Sequence, residues 1–65
     1  MNNYVLLEND TILTVKEAAQ ILRTSQATMY RLVGKGEIPH FRVNGSIKFR
    51  LGTLTSWINQ QESVV

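Results

Sequence analysis

Two helix-start signals set close together constrain this chain more than anything else in it. Thr14-Val15-Lys16-Glu17 has the form of a capping box. The Thr14 hydroxyl can accept from the Glu17 amide while the Glu17 carboxylate reaches back to the Thr14 amide. Val15, Ala18, Ala19 and Leu22 follow at helical spacing, and Leu13 is placed to staple onto Ala18, so the pattern predicts a helix over Val15 to Leu22. Only Arg23 and Thr24 then precede Ser25, a second N-cap, after which Met29, Leu32 and Val33 recur at i, i+3 and i+4. Helices joined by so short a turn must cross steeply, as in a helix-turn-helix. The two alanines on the inner face of the first helix let the second approach closely.

If Met29, Leu32 and Val33 face inward, steps of about 100° per residue put Ala27, Thr28, Tyr30, Arg31 and Gly34 on the outward half, with Lys35 close by. Gly34 and Gly36 bracket the end of this helix. From Ile38 the period changes: Phe41, Val43, Ile47 and Phe49 alternate with His40, Arg42, Lys48 and Arg50 about Asn44-Gly45-Ser46, which predicts a hairpin with His40 on its surface. The Asn-Gly pair favours a two-residue turn, but that register mixes the faces. A three-residue loop instead pairs Val43 with Ile47 and Phe41 with Phe49, and is the register expected. It also sets Arg42 opposite Lys48, an unfavourable pair unless something anionic lies between them. Leu54, Trp57 and Ile58 predict about two turns of a last helix, with Trp57 as the largest contributor to the core. Val5, Leu6 and Leu7 fit an arm lying on the core better than an association patch. The organisation expected is an arm over 1–12, a domain over 13–60 and a frayed tail over 61–65.

Six of the seven basic side chains, Arg23, Arg31, Lys35, Arg42, Lys48 and Arg50, fall between residues 23 and 50 against Glu37 alone. That asymmetry fits a polyanionic partner or a solvated basic face. A chain of 65 residues supports one small core. Without cysteine there is no thiolate site, and His40 alone makes no ligand cluster. No apolar run nears the roughly 20 residues of a membrane span. Asn2 and Asn3 stand where a signal peptide would carry basic residues, so the expected location is the cytoplasm. A paired acid and base, a thiol and a phosphate loop are all missing from the sequence. The expectation is therefore a non-enzymatic chain with no cofactor, metal or small-molecule substrate.

Leu13-Thr14-Val15 with Glu17-Ala18-Ala19, Ser25 with Thr28 and Tyr30-Arg31-Leu32, Gly36-Glu37-Ile38-Pro39, Arg42-Val43 and Gly45 with Lys48-Phe49-Arg50, and Leu54 with Trp57-Ile58 occur in an order that resembles the excisionase-type, MerR-like winged helix-turn-helix domain. The resemblance covers residues 13 to 58. It implies a mainly α fold with a β-hairpin wing, the second helix in the major groove of double-stranded DNA and the wing on an adjacent groove or backbone. Three departures stand out: Arg23 replaces a common turn glycine and so calls for an uncommon backbone conformation, Thr24 replaces an apolar residue, and Gly52-Thr53 replaces acidic residues at the start of the last helix.

Within this frame the expected DNA-contacting residues are Ser25, Gln26, Ala27, Thr28, Tyr30, Arg31, Lys35, Arg42, Asn44, Ser46 and Lys48. Ser25 caps a helix end that favours phosphate. Gln26 reads a base or faces water, and Arg31 is suited to guanine. Tyr30 either offers its hydroxyl to a phosphate or fills the core. Lys35, Arg42 and Lys48 are phosphate contacts or solubilising charge. Asn44 and Ser46 sit at the wing tip, where the resemblance implies a minor-groove contact. The expected role is an excisionase-like recombination directionality factor, working with further copies of itself or an integrase or recombinase. A small transcription regulator using the same surface, or a protein-interaction module in a recombination or packaging assembly, are the alternatives.

Overall fold

A computed structural model describes residues 9–63. The elements run β1 (Ile12–Thr14), α1 (Val15–Leu22), α2 (Gln26–Gly34), β2 (Phe41–Val43), β3 (Ser46–Arg50) and α3 (Leu51–Gln61). The strands form one antiparallel sheet in the order β1-β3-β2. Three helices and a winged sheet make this a winged helix-turn-helix. Val5, Leu6 and Leu7 lie outside the described residues.

The local signals at α1 and α2 act as their chemistry requires. Glu17 N donates to Thr14 Oγ1 at 3.1 Å and Thr14 N to Glu17 Oε1 at 2.8 Å, closing the capping box. Thr28 N donates to Ser25 Oγ at 3.1 Å. Arg23 sits in the left-handed region (φ 56°, ψ 45°), the conformation a glycine would adopt more cheaply. Its own N–H and that of Thr24 turn back to the carbonyls of Gln20 and Ala19 and end α1 there. Met29 and Val33 are buried and Leu32 packs beside them, so α2 presents the inward face its spacing predicts.

The hairpin register differs from the expected one. Val43 pairs with Ser46, Arg42 with Ile47 and Phe41 with Lys48, which leaves Asn44-Gly45 as a two-residue turn with both φ values positive (54° and 86°). Two positive φ values are the mark of a type I′ turn, whose twist matches the strands it joins and which Asn-Gly favours. Segregating apolar from polar residues would require a core beneath β2, and none is there: the whole strand is exposed, Phe41 at 36% and Val43 at 53%. Turn chemistry therefore decides the register. Arg42 and Lys48 do not oppose each other; they lie on opposite faces of the ribbon, so their crowding is no sign of a bound anion. His40 stands just ahead of β2, half-buried, its Nδ1 2.9 Å from the Ile38 carbonyl.

The core lies between the sheet's inner face and the three helices, with Phe49 its largest fully buried side chain. Trp57 does not have the central place expected of it. It is only partly buried, and its Nε1 donates to the Glu37 carbonyl at 3.1 Å, tying α3 to the loop after α2. That helix runs 11 residues, three turns rather than two.

No side chain caps α3. The carbonyls of Thr11 and Asn9 accept instead from Leu51 N at 2.8 Å and Gly52 N at 2.9 Å, so main chain from before β1 satisfies the first two free amides of the helix. Arg50 Nη1 pairs with Asp10 at 3.1 Å beside them. A Cβ at position 52 would stand 2.8 Å from Asn9 Cβ and 3.1 Å from its carbonyl oxygen, which explains the glycine where the resemblance leads one to expect an acid. Gly52→Ala should force Asn9–Thr11 off α3 and destabilise the fold by about 1–3 kcal/mol. Thermal unfolding followed by circular dichroism measures this; an unchanged midpoint would mean that the segment does not dock there.

Candidate nucleic-acid interface

The outward face of α2 is built as its 3.6-residue period dictates. With Met29 and Val33 committed to the core, Ala27, Tyr30, Arg31, Gly34 and Lys35 are exposed and Thr28 is half-buried. Tyr30 keeps 54% of its surface and so is no core tyrosine. Ser25 Oγ accepts the Thr28 amide and donates to Thr28 Oγ1 at 3.0 Å. Its hydrogen is spent within the protein, and of the two hydroxyls only that of Thr28 keeps a proton to offer outward. Gln26 is exposed in the first turn. Lys35 follows the last helical residue, its N–H held by the Arg31 carbonyl at 3.1 Å.

The wing stands beside this helix. Asn44 and Gly45 form its tip, Ser46 follows, and Lys48 is half-buried on the face that carries Thr14 and Phe41, while Arg42 shares its face with Ile47. Strand β1 ends at Thr14, opposite Lys48, so the edge of β3 at Ser46 and Ile47 is unpaired on that side. Between this edge, the start of α1 and the start of α2 lies an open groove of about 420 Å³, lined by Thr14, Val15, Lys16, Gln26, Tyr30 and residues 45–48. Of the predicted residues, the groove brings together Gln26, Tyr30, Ser46 and Lys48. Ala27, Arg31, Lys35, Arg42 and Asn44 are exposed outside its lining.

Lys16, the one basic side chain outside residues 23–50, was not among the expected contacts, yet it lines the groove. Only the pairing of β1 with β3 sets the first turn of α1 against the wing, and no local pattern signals a contact between segments so far apart in the chain.

Among the described residues the ion pair is that of Arg50 with Asp10, which leaves the lysines and arginines of α2, the wing and the groove without a carboxylate partner. No group of three or more His, Cys, Asp or Glu side chains is arranged to hold a metal among the described residues. No helix among them is long and apolar enough to cross a membrane.

Two proteins of Mycobacterium tuberculosis, named "Putative DNA-binding protein MT0521" (strain CDC 1551 / Oshkosh) and "Putative DNA-binding protein Rv0500A" (strain H37Rv), are each 49% identical to this chain over 37 residues, 57% of its length and 47% of theirs. The chain thus spans about half the length of these relatives. No solved structure matches it significantly. The profile of the helix-turn-helix domain matches residues 12–62, from the first residue of β1 to the residue after α3, and the chain belongs to that family.

Proposed function

We propose that this chain binds double-stranded DNA with a sequence preference, placing α2 in the major groove and the wing against the neighbouring backbone. The observation that carries this reading is the exposed Tyr30–Arg31 face of a helix-turn-helix second helix, flanked by cations without a partner among the described residues. Membership of the helix-turn-helix family and the names of the two relatives support it. Positive charge supplies affinity for any duplex, and Arg31, whose planar fork matches the O6 and N7 of guanine, supplies discrimination. Arg31→Ala should cost about 1–3 kcal/mol on the preferred site and flatten the preference, whereas Lys48→Ala should weaken all sequences alike. Fluorescence anisotropy on a selected site and on random duplex measures both. Equal losses for Arg31→Ala on the two duplexes would remove its base-reading role.

The finer reading is a recombination directionality factor, in which several copies of so small a module position and bend DNA beside an integrase. One module covers only about 600–1,000 Å², too little for high affinity alone. Adding the protein to integrase and a substrate with joined attachment sites should drive excision. Repression of a promoter without any effect on excision would assign it to transcription instead.

A further inference from the structure

We propose that the groove between the starts of α1 and α2 and the open edge of β3 seats one sugar-phosphate strand of the duplex, with Lys16 as a phosphate contact opposite Lys48. The inference rests on the DNA-binding reading above and adds to it a strand path and a cation from outside both α2 and the wing.

Three observations converge on it. The groove is open, about 420 Å³, with α1, α2 and β3 each contributing to its walls. Its described lining has two cations, Lys16 and Lys48, and the polar side chains of Thr14, Gln26, Tyr30 and Ser46, but no carboxylate. The nearest acid in sequence, Glu17, is held in the capping box by the Thr14 amide and forms no ion pair with Lys16. Two lysines lining one groove with no carboxylate among them give it a positive potential that draws an anion in. A phosphodiester supplies one negative charge per linkage and acceptor oxygens for hydroxyl and amide donors, whereas an acidic peptide would have to bury side chains of variable length in the same space. Lys16 and Lys48 can then hold a single strand from two sides, fixing how far α2 enters the groove of the duplex without reading any base.

Lys16 is exposed in the first turn of α1, a position where alanine is well tolerated, so its removal tests charge and not folding. The full chain is titrated with a fluorescein-labelled random duplex at several salt concentrations. Each phosphate contact contributes about −0.9 to the slope of log K against log salt, so Lys16→Ala should lose about 0.9 of slope and bind roughly eightfold more weakly near 0.1 M salt. Lys16→Arg should keep both, and the unfolding midpoint of Lys16→Ala should match the parent's. Removing Lys16 and Lys48 together should cost about twice the slope. If Lys16→Ala keeps the parental slope and affinity while Lys48→Ala loses both, the strand does not pass over α1, and the strand path is wrong although DNA binding stands. If the parent chain itself shows no salt-dependent duplex binding, the underlying reading fails and the strand path fails with it.

Discussion

Raising salt from 50 to 200 mM should weaken binding of this chain to duplex DNA by roughly 150-fold. Four cations, Lys16, Lys35, Arg42 and Lys48, lie at the end of α2, on the wing and on the groove with no carboxylate partner among the described residues, and Arg31 is given to a base and not to a phosphate. Arg50 is left out because Asp10 already holds it at 3.1 Å. Each neutralised phosphate releases close to one condensed counterion, so about four contacts give a slope near −3.6, and a fourfold rise in salt then removes about 2.2 decades of affinity. A protein partner docked on the same face through exposed apolar side chains would respond far less, because only its rim charges are screened. The measurement is an anisotropy titration at four or more salt concentrations. A slope near zero would turn the reading to a protein-interaction module, and one near −2 would mean that most of the basic surface faces solvent.

What could be read from the residues alone was whatever is fixed within about one helical turn. Thr14 with Glu17 and Ser25 with Thr28 cap their helices as neighbours in sequence must, and the left-handed Arg23 follows from the need to turn within two residues. The outward list on α2 held because two anchors, Met29 and Val33, set the phase of a rigid helix. Failures came where partners are distant in sequence. Strand β1 is three residues long and pairs with residues 48–50, and so short a strand carries no period of its own. Gly52 makes sense only once Asn9 is seen against it. At the hairpin two local rules disagreed, turn preference and facial alternation, and alternation lost because β2 has nothing to bury against. The face of α2 was therefore legible, whereas the groove it shares with Lys16 was not.

The same conflict supplies the prediction of largest effect on the fold: Phe49→Ala should unfold most of the molecules, and Phe41→Ala should hardly be felt. Phe49 is completely buried on β3, the central strand of the sheet, opposite Leu13 on one side, at the centre of a core that includes Ala18, Met29, Val33 and Leu54. Truncating such a phenylalanine removes the transfer free energy of its ring and leaves a cavity, together about 3–5 kcal/mol. A domain of this length has a total stability of roughly 3–10 kcal/mol, so the loss takes a large part or all of it. Phe41 opposes Lys48 on an exposed strand, and its truncation should stay within about 0.5 kcal/mol, as for surface positions generally. Urea denaturation followed by circular dichroism gives both midpoints. The three-residue loop would have paired the two rings and made both losses large. Comparable destabilisation by the two substitutions would therefore overturn the Asn44-Gly45 turn, and with it the placement of Lys48 on the groove.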